Sequence, residues 1–146
     1  MKDLSFVVIG KSFSDTKLLA KVRGFTVIVD EPSEIGGSDK GPTPLEYLLI
    51  ALAGCLNITF RKIAAERGVN ISSLEFVMKG TLNPSKFQGI PTKERAGYKE
   101  ITVLVKLNSD APKETLMEIL KEAEKRCPVS DNLIMPTPLK IEVKKL

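Results

Sequence analysis

Short apolar segments punctuated by turn residues dominate the first thirty positions. LSFVVI (4–9), KLLAKV (17–22) and FTVIVD (25–30) are rich in β-branched and aromatic residues, and SFSD and then Arg23-Gly24 separate them, which predicts strands with a hairpin turned at Arg23-Gly24. In EPSEIGGSDKGPTP the glycines and prolines break every periodicity, so a loop follows. From Thr43 the pattern changes to a helical one. Thr43 as N-cap, Pro44 at the first helical position and Glu46 three residues after the cap form a T-x-x-E capping box. Leu45, Leu48, Leu49, Leu52, Leu56 and Ile63 supply one apolar face, while Ile50, Ala51 and Ala53 spread hydrophobicity around the cylinder, as expected of a helix buried on most sides. Gly68 is the expected terminator.

Strict alternation returns twice further on. Leu74, Phe76 and Met78 form one apolar strand face, and Ile101, Val103, Val105 and Leu107 form another beyond the polar, turn-rich NPSKFQGIPTKERAG. Ala111–Arg126 carries Leu116, Ile119, Leu120 and Ala123 at helical spacing; Pro128 predicts a boundary near Cys127, and Ser130-Asp131-Asn132 offers a cap for a further short turn. LKIEVKK (139–145) reads as a final strand. The order of strands, long helix, strands, helix and strand specifies an α+β fold, expected as a single domain over residues 1–146, with no glycine-rich phosphate loop at either helix. The apolar run Tyr47–Leu56 exceeds what a thin α+β layer covers, which predicts burial against its own copy in a homodimer.

Composition narrows the chemistry. The 22 basic and 18 acidic residues are interleaved and aromatics are 5%, so the net charge of +4 does not mark a nucleic-acid surface. MKDLSFVVIG lacks the features of a signal peptide and the longest apolar run is ten residues; the expectation is a soluble, cytoplasmic protein without a membrane role. There is no histidine, which excludes Ser-His and Cys-His catalysis and the common zinc clusters within the chain. No metal or other cofactor is expected.

Two cysteines remain, 72 positions apart. Cys55 lies about eleven residues into the long helix, where a small thiol beside Gly54 could serve packing alone, and where the helix N-terminus is too far away to favour a thiolate. Cys127, next to a helix boundary and after Lys125-Arg126, is expected to be partly exposed with positive charge nearby. Spacing permits dithiol chemistry between them, provided that the tertiary fold brings them together.

IGGSDKGPTPLEYLLIALAGC (35–55), followed by AEKRCPVSDNL (123–133), resembles the OsmC/Ohr family of osmotically induced and organic-hydroperoxide-resistance proteins. The resemblance implies an intertwined α+β dimer with long central helices surrounded by sheets. Its peroxidase branches would assign attack on an organic hydroperoxide to Cys55 and resolution to Cys127, with a dithiol such as dihydrolipoamide recycling the disulfide. The family's activating arginine comes from the N-terminal strands, where Arg23 is the one arginine before Cys55 and Lys11 is a weaker match because it lacks a planar fork. Those branches carry Pro-Glu at the helix start; here Leu45 follows Pro44. Glu46 lies nine residues before Cys55, on the opposite helix face at about 100° per residue, so its assignment is to the capping box. The rival expectation is a non-peroxidatic relative that binds an apolar ligand in the same dimer cavity.

Overall fold

The computed structural model describes every residue from Met1 to Leu146. The chain forms two compact units, Met1–Leu48 and Leu49–Leu146.

The first unit is a three-stranded antiparallel sheet in the order β1 (Ile9–Ser12), β2 (Leu18–Val22), β3 (Phe25–Val29). The hairpin turns where the sequence places it: Val22 pairs with Phe25, and Arg23 takes the left-handed conformation with φ 54°. The first strand differs from expectation. Residues 4–8 are unpaired and exposed, and β1 begins only at Ile9, because Ile9 is the first residue opposite a β2 partner, Lys21.

Beyond β3 the loop is organised around one buried carboxylate. Asp30 Oδ1 accepts from the Thr16 hydroxyl and the Glu31 amide, while Oδ2 accepts from the Ser38 hydroxyl and the Ser38 and Lys40 amides. Those bonds, the Ser38 hydroxyl foremost, hold its carboxyl well below the usual carboxylate range. Gly37 passes so close to Glu31 that a Cβ would lie 1.7 Å from its carbonyl oxygen.

The long helix α1 (Pro44–Glu66) starts with the predicted box: the Thr43 amide donates to Glu46 Oε2 at 2.8 Å, and the Glu46 amide to Thr43 Oγ1 at 3.2 Å. Such a cap contributes about 1 kcal/mol. It stops two residues before Gly68, whose φ of 68° suits the position after a helix end.

In the second unit β4 (Ser73–Thr81) and β5 (Glu100–Asn108) pair antiparallel along their whole length, from Ser73 opposite Asn108 to Thr81 opposite Glu100. Then come α2 (Lys113–Arg126) and α3 (Pro128–Ile134). Phe60, Ile63 and Ala64 of α1 meet Ile71 and the Ile119 and Ala123 of α2, with Leu74 and Leu107 against them. Truncating a core side chain such as fully buried Phe60 typically costs about 3–5 kcal/mol. The ends of α1 and α2 are fastened by charge: Arg126 bridges Glu66 and Glu122, Arg67 bridges Glu118 and Glu122, and Lys62 pairs with Glu66.

One further expectation needs correction. Residues 136–146 form no strand, and Leu139, Ile141 and Val143 are exposed, because alternation supplies faces but no strand stands beside them. Within the single chain α1 is covered along one side by Leu52, Leu56, Phe60, Ile63 and Ala64, whereas Ile50, Ala51, Gly54 and Ile58 form an exposed apolar stripe. By length and composition alone α1 could cross a membrane, a test that the core helix of a water-soluble fold also passes.

Candidate active site

Two elements of the second unit bring the thiols together. Cys55 rides on the middle of α1, where the Thr59 hydroxyl bonds its carbonyl at 2.8 Å. Cys127 is the single residue between α2 and α3: it ends the first helix and caps the second, its sulfur accepting from the Ser130 amide at 3.3 Å. The cap of α3 is therefore the thiol itself, and not the Ser130-Asp131-Asn132 run. Cys127 Sγ and Cys55 Sγ lie 2.6 Å apart, beyond a covalent bond of about 2.05 Å, and both are free thiols.

The expectation of a partly exposed Cys127 is overturned: its exposure is 0%, while Cys55 is half-buried. Leu52, Leu56, Phe76, Met78, Ile101 and Val129 pack around the pair. The positive charge beside Cys127 in sequence is also engaged elsewhere, since Arg126 Nη1 and Nη2 bond the Glu66 carboxylate at 2.7 and 3.1 Å. Burial pushes the Cys127 thiol up, and the hydrogen bond to Cys55 adds to this; the Ser130 and Val129 amides oppose it.

Arg23, the other residue singled out, lies in the first unit at the tip of the β2–β3 hairpin, its guanidinium 5.1 Å from the centre of the Phe25 ring. That is a cation–π contact within one hairpin. The one functional feature sequence reasoning missed is the sulfur cap on α3, and C-P-V-S carries its signal: a residue with an acceptor directly before a proline at the first helical position.

Taken together, the chain is an α+β fold with a long apolar helix carrying one thiol and a helix junction carrying a second. The sequence profile described as OsmC-like protein matches residues 37–143, and the chain belongs to that family. Its fold is shared with an OsmC-like protein from Mycoplasma pneumoniae at 24% identity and a TM-score of 0.79, over 92% of this chain and 91% of that one. A hypothetical protein from Aquifex aeolicus matches at 20% and 0.72, over 97% and 98%. An organic hydroperoxide resistance protein OsmC from Legionella pneumophila matches at 15% and 0.65, over 93% of each chain. At these identities the likeness is one of fold. No curated protein matches the chain significantly.

Proposed function

We propose that this protein is a thiol-dependent peroxidase for organic hydroperoxides, working as a homodimer of one OsmC-like domain per chain in the cytoplasm. The observation that carries the reading is the meeting of two thiols, 72 positions apart, at 2.6 Å among apolar side chains. Cys55, the less buried sulfur, attacks the peroxide and becomes a sulfenic acid; Cys127 displaces the hydroxyl to give a disulfide. The apolar surroundings suit an alkyl peroxide better than hydrogen peroxide. Arg23, with Lys11 as the weaker choice, would supply positive charge for the Cys55 thiolate, and a dihydrolipoamide-type dithiol would restore both thiols.

A second reading draws on Glu46. Its carboxylate is held in the capping box, so it is not free to orient an arginine, which favours a relative that binds an apolar ligand without reducing peroxides.

Stopped-flow mixing of the reduced protein with cumene or tert-butyl hydroperoxide separates the two. The peroxidase reading requires thiol loss far faster than for a free thiol, faster than with hydrogen peroxide, and abolished by Cys55→Ser. Thiols that react no faster than a free thiol sink it in favour of ligand binding.

A further inference from the structure

The surroundings of the two sulfurs differ in a way that assigns a proton. Cys127 is fully buried and Cys55 half-buried; their Sγ atoms lie 2.6 Å apart, and Cys127 Sγ accepts from the Ser130 amide. Leu52 and Leu56 from α1, Phe76 and Met78 from β4, Ile101 from β5 and Val129 from α3 pack around the pair, and the one charged neighbour acting on Cys127 is the Cys55 thiolate. Arg126, adjacent in sequence, is bound to Glu66 and Glu122, and Arg61 to Asn57 Oδ1 and the Ile71 carbonyl. Two thiolates in contact in such a setting repel strongly, so the pair ionises in two well-separated steps and holds one proton between them. Burial and the neighbouring sulfur both favour keeping that proton on Cys127.

We propose that Cys127 is the proton donor of this site as well as its resolving thiol, its S–H holding Cys55 as the thiolate and then protonating the departing alkoxide. The second half of this inference rests on the peroxidase reading; the first half does not. In the reaction the Cys55 thiolate attacks the terminal oxygen of ROOH, the O–O bond breaks, and its electron pair leaves on RO⁻. The Cys127 proton passes to that oxygen, giving ROH, Cys55 sulfenic acid and a Cys127 thiolate. The Ser130 N–H, already aimed at Cys127 Sγ, stabilises the new charge. The Cys127 thiolate then attacks the Cys55 sulfur and the S–O bond breaks; hydroxide leaves and takes a solvent proton, replacing the one released when Cys55 ionised. The sulfur pair loses two electrons and the peroxide gains them. One residue thereby serves a chain without histidine in two successive roles.

Two variants read the donor directly. Cys127→Ser keeps an O–H beside Cys55, whereas Cys127→Ala removes it, and in each Cys55 is the one remaining cysteine. Titration of thiolate absorbance should give a midpoint about one unit higher in Cys127→Ala, meaning roughly tenfold less thiolate at neutral pH. Sulfenic acid formation with cumene hydroperoxide should slow in Cys127→Ala by about the same tenfold. Equal midpoints and equal rates in the two variants overturn the proposal. Should Cys127→Ala fail to fold, NMR of isotope-labelled cysteine β-carbons in the wild type decides: first ionisation at Cys55 supports the assignment, and first ionisation at Cys127 refutes it. A wild type inert to hydroperoxides removes the peroxidase reading, while the midpoint comparison still decides whether the S–H bond holds the thiolate.

Discussion

At the scale of single residues, two buried polar groups show how burial is made tolerable and how unevenly sequence reveals it. Asp30 is fully buried yet accepts five hydrogen bonds, from Thr16, Glu31, Ser38 and Lys40. Replacing one oxygen with an NH2 turns an acceptor into two donors facing donors. Asp30→Asn is therefore expected to loosen the loop from Glu31 to Pro42, with amide exchange at Ser38 and Lys40 accelerated on the order of tenfold. Unchanged protection would count against the carboxylate as the organiser of the loop. Cys127 was harder to read. Lys125 and Arg126 suggested exposure, but at about 100° per residue helix neighbours point in different directions, and Arg126 reaches Glu66 while Cys127 turns inward. Its role as a cap was hidden because sulfur lies outside the usual set of capping side chains.

Among the elements, α1 was the most legible, since its box and its terminator are chemical signals confined to a few neighbouring residues. Thr43, Pro44, Glu46 and Gly68 all act as their residue types dictate. What fastens α1 to α2 was not legible, because ion pairs between residues 60 positions apart leave no local pattern. Arg126 first, and then Lys62, draw the Glu66 carboxyl down from 4.5 to about 2. A carboxylate whose folded value is depressed adds stability that is complete above its unfolded value and is lost as pH falls through the folded one. Melting temperature should thus decline as pH is lowered from about 5 towards 2. Glu66→Gln should be less stable at neutral pH and decline less steeply. Parallel acid profiles for the two proteins would show that this pair contributes nothing. Because these groups are at the surface, salt should narrow the difference.

Over the whole molecule, what sequence left open is what the single chain leaves uncovered. The alternation in β4 and β5 was read correctly because each is the other's partner, only nineteen residues apart at the near ends. LSFVVI and LKIEVKK alternate or run apolar just as plainly, yet residues 4–8 and 139–145 find no strand to pair with, and the stripe Ile50, Ala51, Gly54, Ile58 finds no cover. Gly54 leaves open space where a side chain would project, which would let a second helix approach closely. A second copy of the chain would offer the same stripe in return, as a two-fold interface requires. Sedimentation equilibrium at micromolar concentration is expected to report about twice 16.0 kDa. Ile58→Glu, which places a charge on that stripe, should shift the mass towards the monomer; a mass near 16.0 kDa for the wild type would dispose of the dimer.

The junction at Cys127 has one more consequence. Its backbone is pinned from both directions, by the end of α2 with Arg126 tied to Glu66 and by the start of α3 with Pro128, and its sulfur already lies 2.6 Å from Cys55. Closing the disulfide calls for a small approach of two atoms, without unwinding a helix or moving a loop. The oxidised and reduced forms would then present nearly the same outline to any other molecule. On the proposed peroxidase reading, such a site would suit turnover and would be poorly made to be a messenger.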